Sequence, residues 1–211
     1  RAGTSHFLGE NFAKAQNIKF QSHEEKEEHA WTTSWGVSTR MIGGLVMTHS
    51  DDDGLIIPPK ISSTHVLIQP MFRKDEDKIV VMEYIENLKA ELEAQSYEGS
   101  AVKVTVDTRE FKGGGQLWDN IKKGYSVILQ IGPRDVKEGK VCVVKRAYGS
   151  GKDFITKEEF SNSVVQVLTD SQKVLFSRAK EKLTNNILMI ENREEFEKQF
   201  DKNSKDNKMA M

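Results

Sequence analysis

The sequence predicts an α/β protein in which a strand-and-helix segment is followed by a mixed sheet covered by helices. Three observations predict it. From Thr64 onwards, strand-like and helix-like stretches follow in the order β-α-β-α-β-β-α, which builds a mixed sheet with helices packed against it. Before that, Trp31–Ser50 reads as a strand running into a helix, with Arg40 at the join. Between the two lies Pro58-Pro59, a stiff pair that reads as a domain boundary. The expected divisions are 1–61, 62–185 and 186–211.

In chain order, Thr4 or Ser5 is expected to cap a helix through Phe7, Leu8, Phe12 and Ala15. Asn17–Gln21 is a short strand, and Ser22–His29 a charged hairpin loop whose His23 and His29 do not have a zinc-like spacing. Trp31, Thr33, Trp35 and Val37 alternate with small residues, the period of a half-buried strand. The apolar positions from Met41 to Met47 suit a buried helix. Gly43 and Gly44 inside it suggest a second backbone packed close by, since each glycine costs a helix about 1 kcal/mol against alanine.

Thr64–Pro70 is a short apolar strand, and Asp75–Gln95 a helix with Ile79, Met82, Ile85, Leu88 and Leu92 recurring at three and four. Val102–Asp107 alternates as a strand. Gly113–Gly115 is a loop, Gln116–Lys123 a short helix, and Tyr125–Ile131 a strand. Gly132–Gly139 reads as a turn, Lys140–Arg146 as a strand, Tyr148–Gly151 as a tight turn, and Phe154-Ile155 as a brief strand. Thr156 with Glu159 makes a capping box for a helix towards Leu183, and Asn192 with Glu195 another for a helix with Phe196 and Phe200.

At 211 residues the chain has room for one to two domains with real cores. Its one cysteine, Cys142, rules out an internal disulfide or a multi-cysteine zinc site within these residues. No apolar run approaches the roughly 18 residues of a spanning helix, and no secretory signal opens the chain. The expectation is a cytoplasmic protein with no membrane partner. Arg1 in place of methionine suggests a piece of a longer chain. The net charge of −1 argues against a general nucleic-acid binder. Yet Lys103–Lys152 carries eleven basic against five acidic residues, a candidate phosphate-facing surface in an otherwise acidic chain.

Arg40 stands where the Trp31–Ser50 helix begins, beside the open N–H donors of a first turn. A guanidinium and such donors together can hold an anionic, planar ligand. The motif SWGVSTRMIG, followed by MTHSDDDGLIIPPK, resembles motif 3 of the class II aminoacyl-tRNA synthetases, in detail the prolyl-tRNA synthetases of archaeal and eukaryotic type. RAGTSHFLGENFAKAQNIKF and IGPRDVKEGKVCVVKR resemble the same family in the same order, so the resemblance runs from Ala2 to about Phe200.

The resemblance implies an α+β remnant of a class II catalytic domain followed by a mixed-sheet α/β anticodon-binding domain. It implies a ligase that activates L-proline with ATP and Mg2+ to prolyl-adenylate and transfers it to tRNA(Pro). The full-length protein is then expected to be a homodimer. Thr4, Gly36, Ser38 and Arg40 match ATP-contacting positions, with Arg40 the catalytic charge-compensating group. His6 and Trp35 match the proline pocket. No metal-ligating residue is implied. Where the family has a glutamine, this chain has Arg1, and motifs 1 and 2 are absent. The 211 residues alone are therefore expected not to form the adenylate.

In the second segment, Asp107–Glu110 and Gly132–Asp135 close two strands. Arg109 and Arg134 can offer paired donors to guanine O6 and N7, and Asp107 or Asp135 can accept from a guanine amino group, which suits a guanine-rich proline anticodon. The family's Gly-x-Lys-Phe falls here on Gly114-Gly115-Gln116-Leu117, leaving Lys112, Lys122 or Lys123 to replace the lysine. The alternatives are a non-catalytic RNA-binding module derived from such an enzyme, or a threonine- or histidine-specific relative.

Overall fold

The computed structural model describes residues 3–72, 74–109 and 115–199, with the backbone of 209–210. The chain divides into two compact units, Arg1–Met47 and Thr48–Met211. The division falls inside a helix, eleven residues before Pro58-Pro59.

The first unit centres on an antiparallel pair, β1 (Gly3–Gly9) and β4 (Thr32–Val37), in the register Thr4↔Gly36, Ser5↔Trp35, His6↔Ser34. The helix expected from Thr4 or Ser5 is thus a strand. Phe7 and Leu8, adjacent in sequence, go to opposite faces of a strand, and pairing along six residues of β4 outweighs a short local helix. The helix is confined to α1 (Asn11–Gln16), closed by Asn17 in the left-handed region at φ 53°. A hairpin of β2 (Lys19–Gln21) and β3 (Glu27–His29) follows, so the charged loop narrows to residues 22–26. The helix α2 (Arg40–His49) starts at Arg40 as expected. Among the described residues, however, none of its side chains is buried, and a Cβ on Gly43 or Gly44 would meet nothing within 4 Å. The close backbone partner expected for this pair is not among the described residues.

The second unit holds a five-stranded mixed sheet. Its strands are β5 (Val66–Pro70), β8 (Val104–Val106), β9 (Val127–Ile131), β10 (Lys140–Lys145) and β11 (Lys152–Thr156), in the order β11-β10-β9-β5-β8. β5 runs parallel to β8 and β9, while β10 is antiparallel to β9 and β11. Parallel neighbours need crossovers, and the sequence supplies them as α3 (Asp75–Glu93) and α4 (Gly115–Lys122). A small hairpin of β6 (Ser96–Tyr97) and β7 (Ser100–Ala101) sits between α3 and β8. On one face Val66, Ile68, Leu129, Val141 and Val143 pack against Ile85 and Leu88 of α3 and Phe160, Val164 and Leu168 of α6 (Lys157–Asn185). On the other, Leu67, Ile128 and Val144 meet Leu117 and Ile121 of α4.

The expected turn at Gly132–Gly139 contains a helix, α5 (Pro133–Glu138). Pro133 enters at its first position, the Asp135 carboxylate accepts the Gly132 N–H at 2.8 Å, and Gly139 closes it at φ 64°. Thr156 caps α6 as expected, its hydroxyl accepting the Glu159 N–H at 3.1 Å. Asn192 likewise caps α7 (Arg193–Gln199), and β12 (Ile187–Leu188) pairs with the backbone of β13 (Met209–Ala210). Phe200, residues 201–208 and residue 211 lie outside the described residues.

Residues 48–61 pack into this second unit, which is why the division precedes the prolines. Ile56 is buried with Ala147 and Leu175, and Ile57 exchanges backbone and side-chain bonds with Gly124 and Ser126. The Asp51–Gly54 turn is held by Arg146, whose side chain is fully buried. Arg146 donates to Asp51 at 2.6 Å and to Ser150 at 2.8 Å, and Ser150 in turn donates to Asp53.

Candidate nucleotide site and nucleic-acid interface

In the first unit the register decides which side chains share a face. Residues directly opposite in an antiparallel pair point the same way. One face therefore presents Thr4 and His6 of β1 with Ser34 and Gly36 of β4. A Cβ on Gly36 would lie 3.6 Å from Thr4 Oγ1, so glycine keeps that face low beside the threonine hydroxyl. Ser38 and Arg40 follow, Arg40 at the first position of α2. Both are exposed. Thr4, Ser34 and His6 thus offer hydroxyls and an imidazole ring on one face, beside a position with no Cβ, and the Arg40 guanidinium follows four residues after Gly36 in the chain.

Trp35 does not belong to this group. It pairs with Ser5 and lies on the opposite face from His6, 80% exposed, beside Phe7 and Val37. Phe7 in turn stacks on Trp31 at 5.5 Å. His6 and Trp35 cannot line one pocket from this pair of strands. The residue facing His6 is Ser34, which the sequence reading passed over. Strand alternation across SWGVS would have singled it out. Arg1 lies outside the described residues.

In the second unit the strands β5, β8 and β9 all end on the same side of the sheet, where open α/β sheets bind ligands. Asp107 follows β8 and Gly132 follows β9, so the sheet brings Asp107, Arg109, Arg134 and Asp135 to one edge, as the motifs required. Their bonding differs from the expectation. Asp107 is buried and accepts from Arg109 Nε at 2.8 Å and Nη2 at 2.7 Å, and from Asn120 at 2.9 Å. The Arg109 hydrogen bonds hold its carboxyl far below the ordinary carboxylate range against the effect of burial, with Asn120 and Gln116 adding to them. With the Arg109 backbone N–H at 3.3 Å as a fourth donor, its acceptor sites are filled by described residues, which leaves none for a guanine amino group.

Arg109 is equally committed. Nη2 also donates to Asn120 at 2.7 Å, and Nη1 pairs with Asp119. Among the described residues these bonds take four of its five N–H donors, which leaves too few for a two-pronged contact. Asp135 is the cap of α5. Arg134 is the group that stands out from the sheet: its side chain is 89% exposed and, among the described residues, only Nε is held, by Glu138 at 3.0 Å. Glu110, Lys112, Gly113 and Gly114 lie outside the described residues.

The close approach that builds this edge is visible at Gly132. A Cβ there would lie 2.9 Å from the Met71 carbonyl oxygen at the end of β5. Glycine is required by space, since its φ of −120° suits any residue. Among the described residues no group of three or more His, Cys, Asp or Glu is placed to hold a metal, and no helix is long and apolar enough to cross a membrane.

The five-stranded mixed sheet with its covering helices is consistent with an anticodon-binding domain of the class II synthetase kind. Residues 65–167 match the family model described as an anticodon binding domain. The chain as a whole is a homologue of the proline–tRNA ligases, as the ordered motifs implied. It is 48% identical over 201 residues to the proline–tRNA ligase of Bdellovibrio bacteriovorus, covering 95% of this chain and 40% of that protein. It is 46% identical over 197 residues to that of Rhodopirellula baltica, covering 93% and 38%. It is 43% identical over 180 residues to that of Akkermansia muciniphila, covering 85% and 36%. The chain thus spans about two fifths of the length of these curated relatives.

Proposed function

We propose that this chain supplies the motif-3 strand and helix and the anticodon reader of a proline–tRNA ligase. One observation carries the reading. In a homologue of proline–tRNA ligases, the two separate motifs TSH and SWGVSTR are laid against each other in the register Thr4↔Gly36 and His6↔Ser34. An RNA-binding module has no need of that pairing, which favours the enzyme over the non-catalytic alternative.

In the reaction the carboxylate of L-proline attacks the α-phosphate of ATP and pyrophosphate leaves. The prolyl group then passes from the adenylate to the terminal ribose of tRNA(Pro). Arg40 compensates phosphate charge as it develops, Thr4 and Ser38 offer hydroxyls to the nucleotide, and Gly36 lets it approach the strand. His6, with Ser34 opposite, faces the amino acid. Trp35, on the other face and exposed, is given no part in the amino-acid pocket. Mg2+ enters with ATP as its counterion and needs no dedicated ligand among the described residues. The full-length ligase works as a homodimer in the cytoplasm.

In the second unit Arg134 offers its two Nη groups to a guanine edge, while Asp107 and Asn120 hold Arg109 rigid so that its remaining donor meets the RNA. Asp135 fixes the first turn of α5 and with it the start point of Arg134. The test is ATP–pyrophosphate exchange by a full-length protein containing this chain, with proline, threonine or histidine supplied. Exchange with proline alone supports the reading. Exchange with another of the three, or none with any, refutes it.

A further inference from the structure

One level of the sheet crosses all five strands at their ligand-binding end. Gln69 pairs with Gln130, Gln130 with Cys142, and Cys142 with Phe154. Asp107, whose N–H bonds to the Ile68 carbonyl, continues that level at the far edge. All five lie on the face that α4 covers: Gln69, Gln130 and Cys142 are each two residues from a side chain packed on α4, Asp107 accepts from Asn120 of α4, and Phe154 stands opposite Cys142. The inner members are buried. The outermost, Phe154 on the edge strand β11, is 64% exposed.

Lone exposed phenylalanines are ordinary, and a lysine on an edge strand often serves to block unwanted pairing. Two things set this one apart. Lys152 lies on the same face, one alternation along the strand, and Lys140 is opposite Thr156, one alternation the other way. Lys140 also shares the Glu138 carboxylate with Arg134, at 3.0 Å each. A line of cations therefore runs from Arg134 past Phe154 to Lys152, continuous with the edge that carries the anticodon motifs.

We infer that Phe154, flanked by Lys140 and Lys152, is a stacking platform for a single-stranded RNA base next to the anticodon triplet. This rests on reading the second unit as an anticodon binder. Aromatic rings with flanking cations suit unstacked bases because every base has a π-face and every link a phosphate. The span supports a flanking base. Four strand gaps of about 4.8 Å put Phe154 roughly 19 Å from the Asp107 end. Three nucleotides at a stacked rise of about 3.4 Å cover only about 10 Å.

The test uses the whole chain and an RNA stem-loop bearing a proline anticodon. Phe154→Ala is expected to weaken binding about tenfold, and Phe154→Tyr to restore it. Lys152→Met should lower the salt slope by about 0.7. Removing the base beside the triplet should weaken wild-type binding by the same factor and have no further effect on Phe154→Ala. Unchanged affinity in Phe154→Ala, with binding still lost in Arg134→Ala, overturns the platform and leaves the anticodon reading standing. No binding by the wild-type chain overturns both. Loss of self-association in Phe154→Ala with RNA affinity intact gives this edge to a second copy and overturns the proposal.

Discussion

Removing Asp51 should destabilise the second unit far more than its place in a surface turn implies. Asp51 is 39% exposed, but the cation it pairs with is not exposed at all. Asp51→Ala leaves the Arg146 guanidinium in the interior with Ser150 and, at 3.8 Å, Asp53. Breaking a buried pair from one side costs about 3–5 kcal/mol, and the two remaining partners should hold the loss to about 2–3 kcal/mol. For a unit of this size that lowers the melting temperature by roughly 4–12 °C. Arg146→Met should be milder although it replaces the buried partner. It leaves behind carboxylates that water can reach and no buried charge. Denaturant unfolding of wild type, Asp51→Ala, Arg146→Met and the double variant measures both costs and their coupling. If Asp51→Ala costs under about 0.5 kcal/mol, or Arg146→Met costs more than Asp51→Ala, the account of Arg146 as a cation stranded without its partner is wrong.

The buried His65 ring accepts the Lys103 N–H at Nδ1, 3.0 Å away. Burial and then the Lys103 charge lower its pKa, against the Pro59 carbonyl. The neutral ring is the folded form, so its contribution is complete above the ordinary histidine pKa near 6.5 and is lost as pH falls through the lowered value. His65→Gln should flatten stability measured between pH 7 and 5. Arg134→Ala should weaken stem-loop binding by about 1–3 kcal/mol, by analogy with base readout in DNA, with little change in melting temperature. Asp107→Ala should lower both, because it frees Arg109 and leaves Asn120 without its acceptor, and parallel titrations and melts would separate the two variants. Gly132→Ala should cost about 1–3 kcal/mol, since the Met71 carbonyl must move to admit the methyl group, and calorimetry would read it.

What was legible in the sequence was what repeats locally. The three-and-four spacing of Ile85, Leu88 and Leu92, the alternation around Val104, and the Thr156 cap each encode one element, while the order of the strands within the sheet did not follow from them. Pairings between distant segments were not legible. Nothing near Thr4 announces that Gly36 will lie opposite, so a helix was read where a strand forms. The same limit hid the Asp51–Arg146 bond, whose partners are 95 residues apart. The candidate site was legible by residue type and place in the chain rather than by its bonding. DTR and GPRD were recognised as charged groups at strand ends, which is where they are. Spacing could not say that Asp107 would spend its acceptors on Arg109 two residues away, or that Asp135 would bond to the backbone of Gly132. Residue type gave the chemistry available, and local geometry decided how much of it stays open to RNA.

The way Arg146 holds the Asp51 turn has a practical consequence for excising the reader. A piece starting at Ser62, where the prolines invite a cut, would carry a guanidinium sealed inside without its counter-charge and a hollow where Ile56 had been. A portable version has to begin at Thr48 or earlier, so its leading end is the tail of the very helix that opens with Arg40.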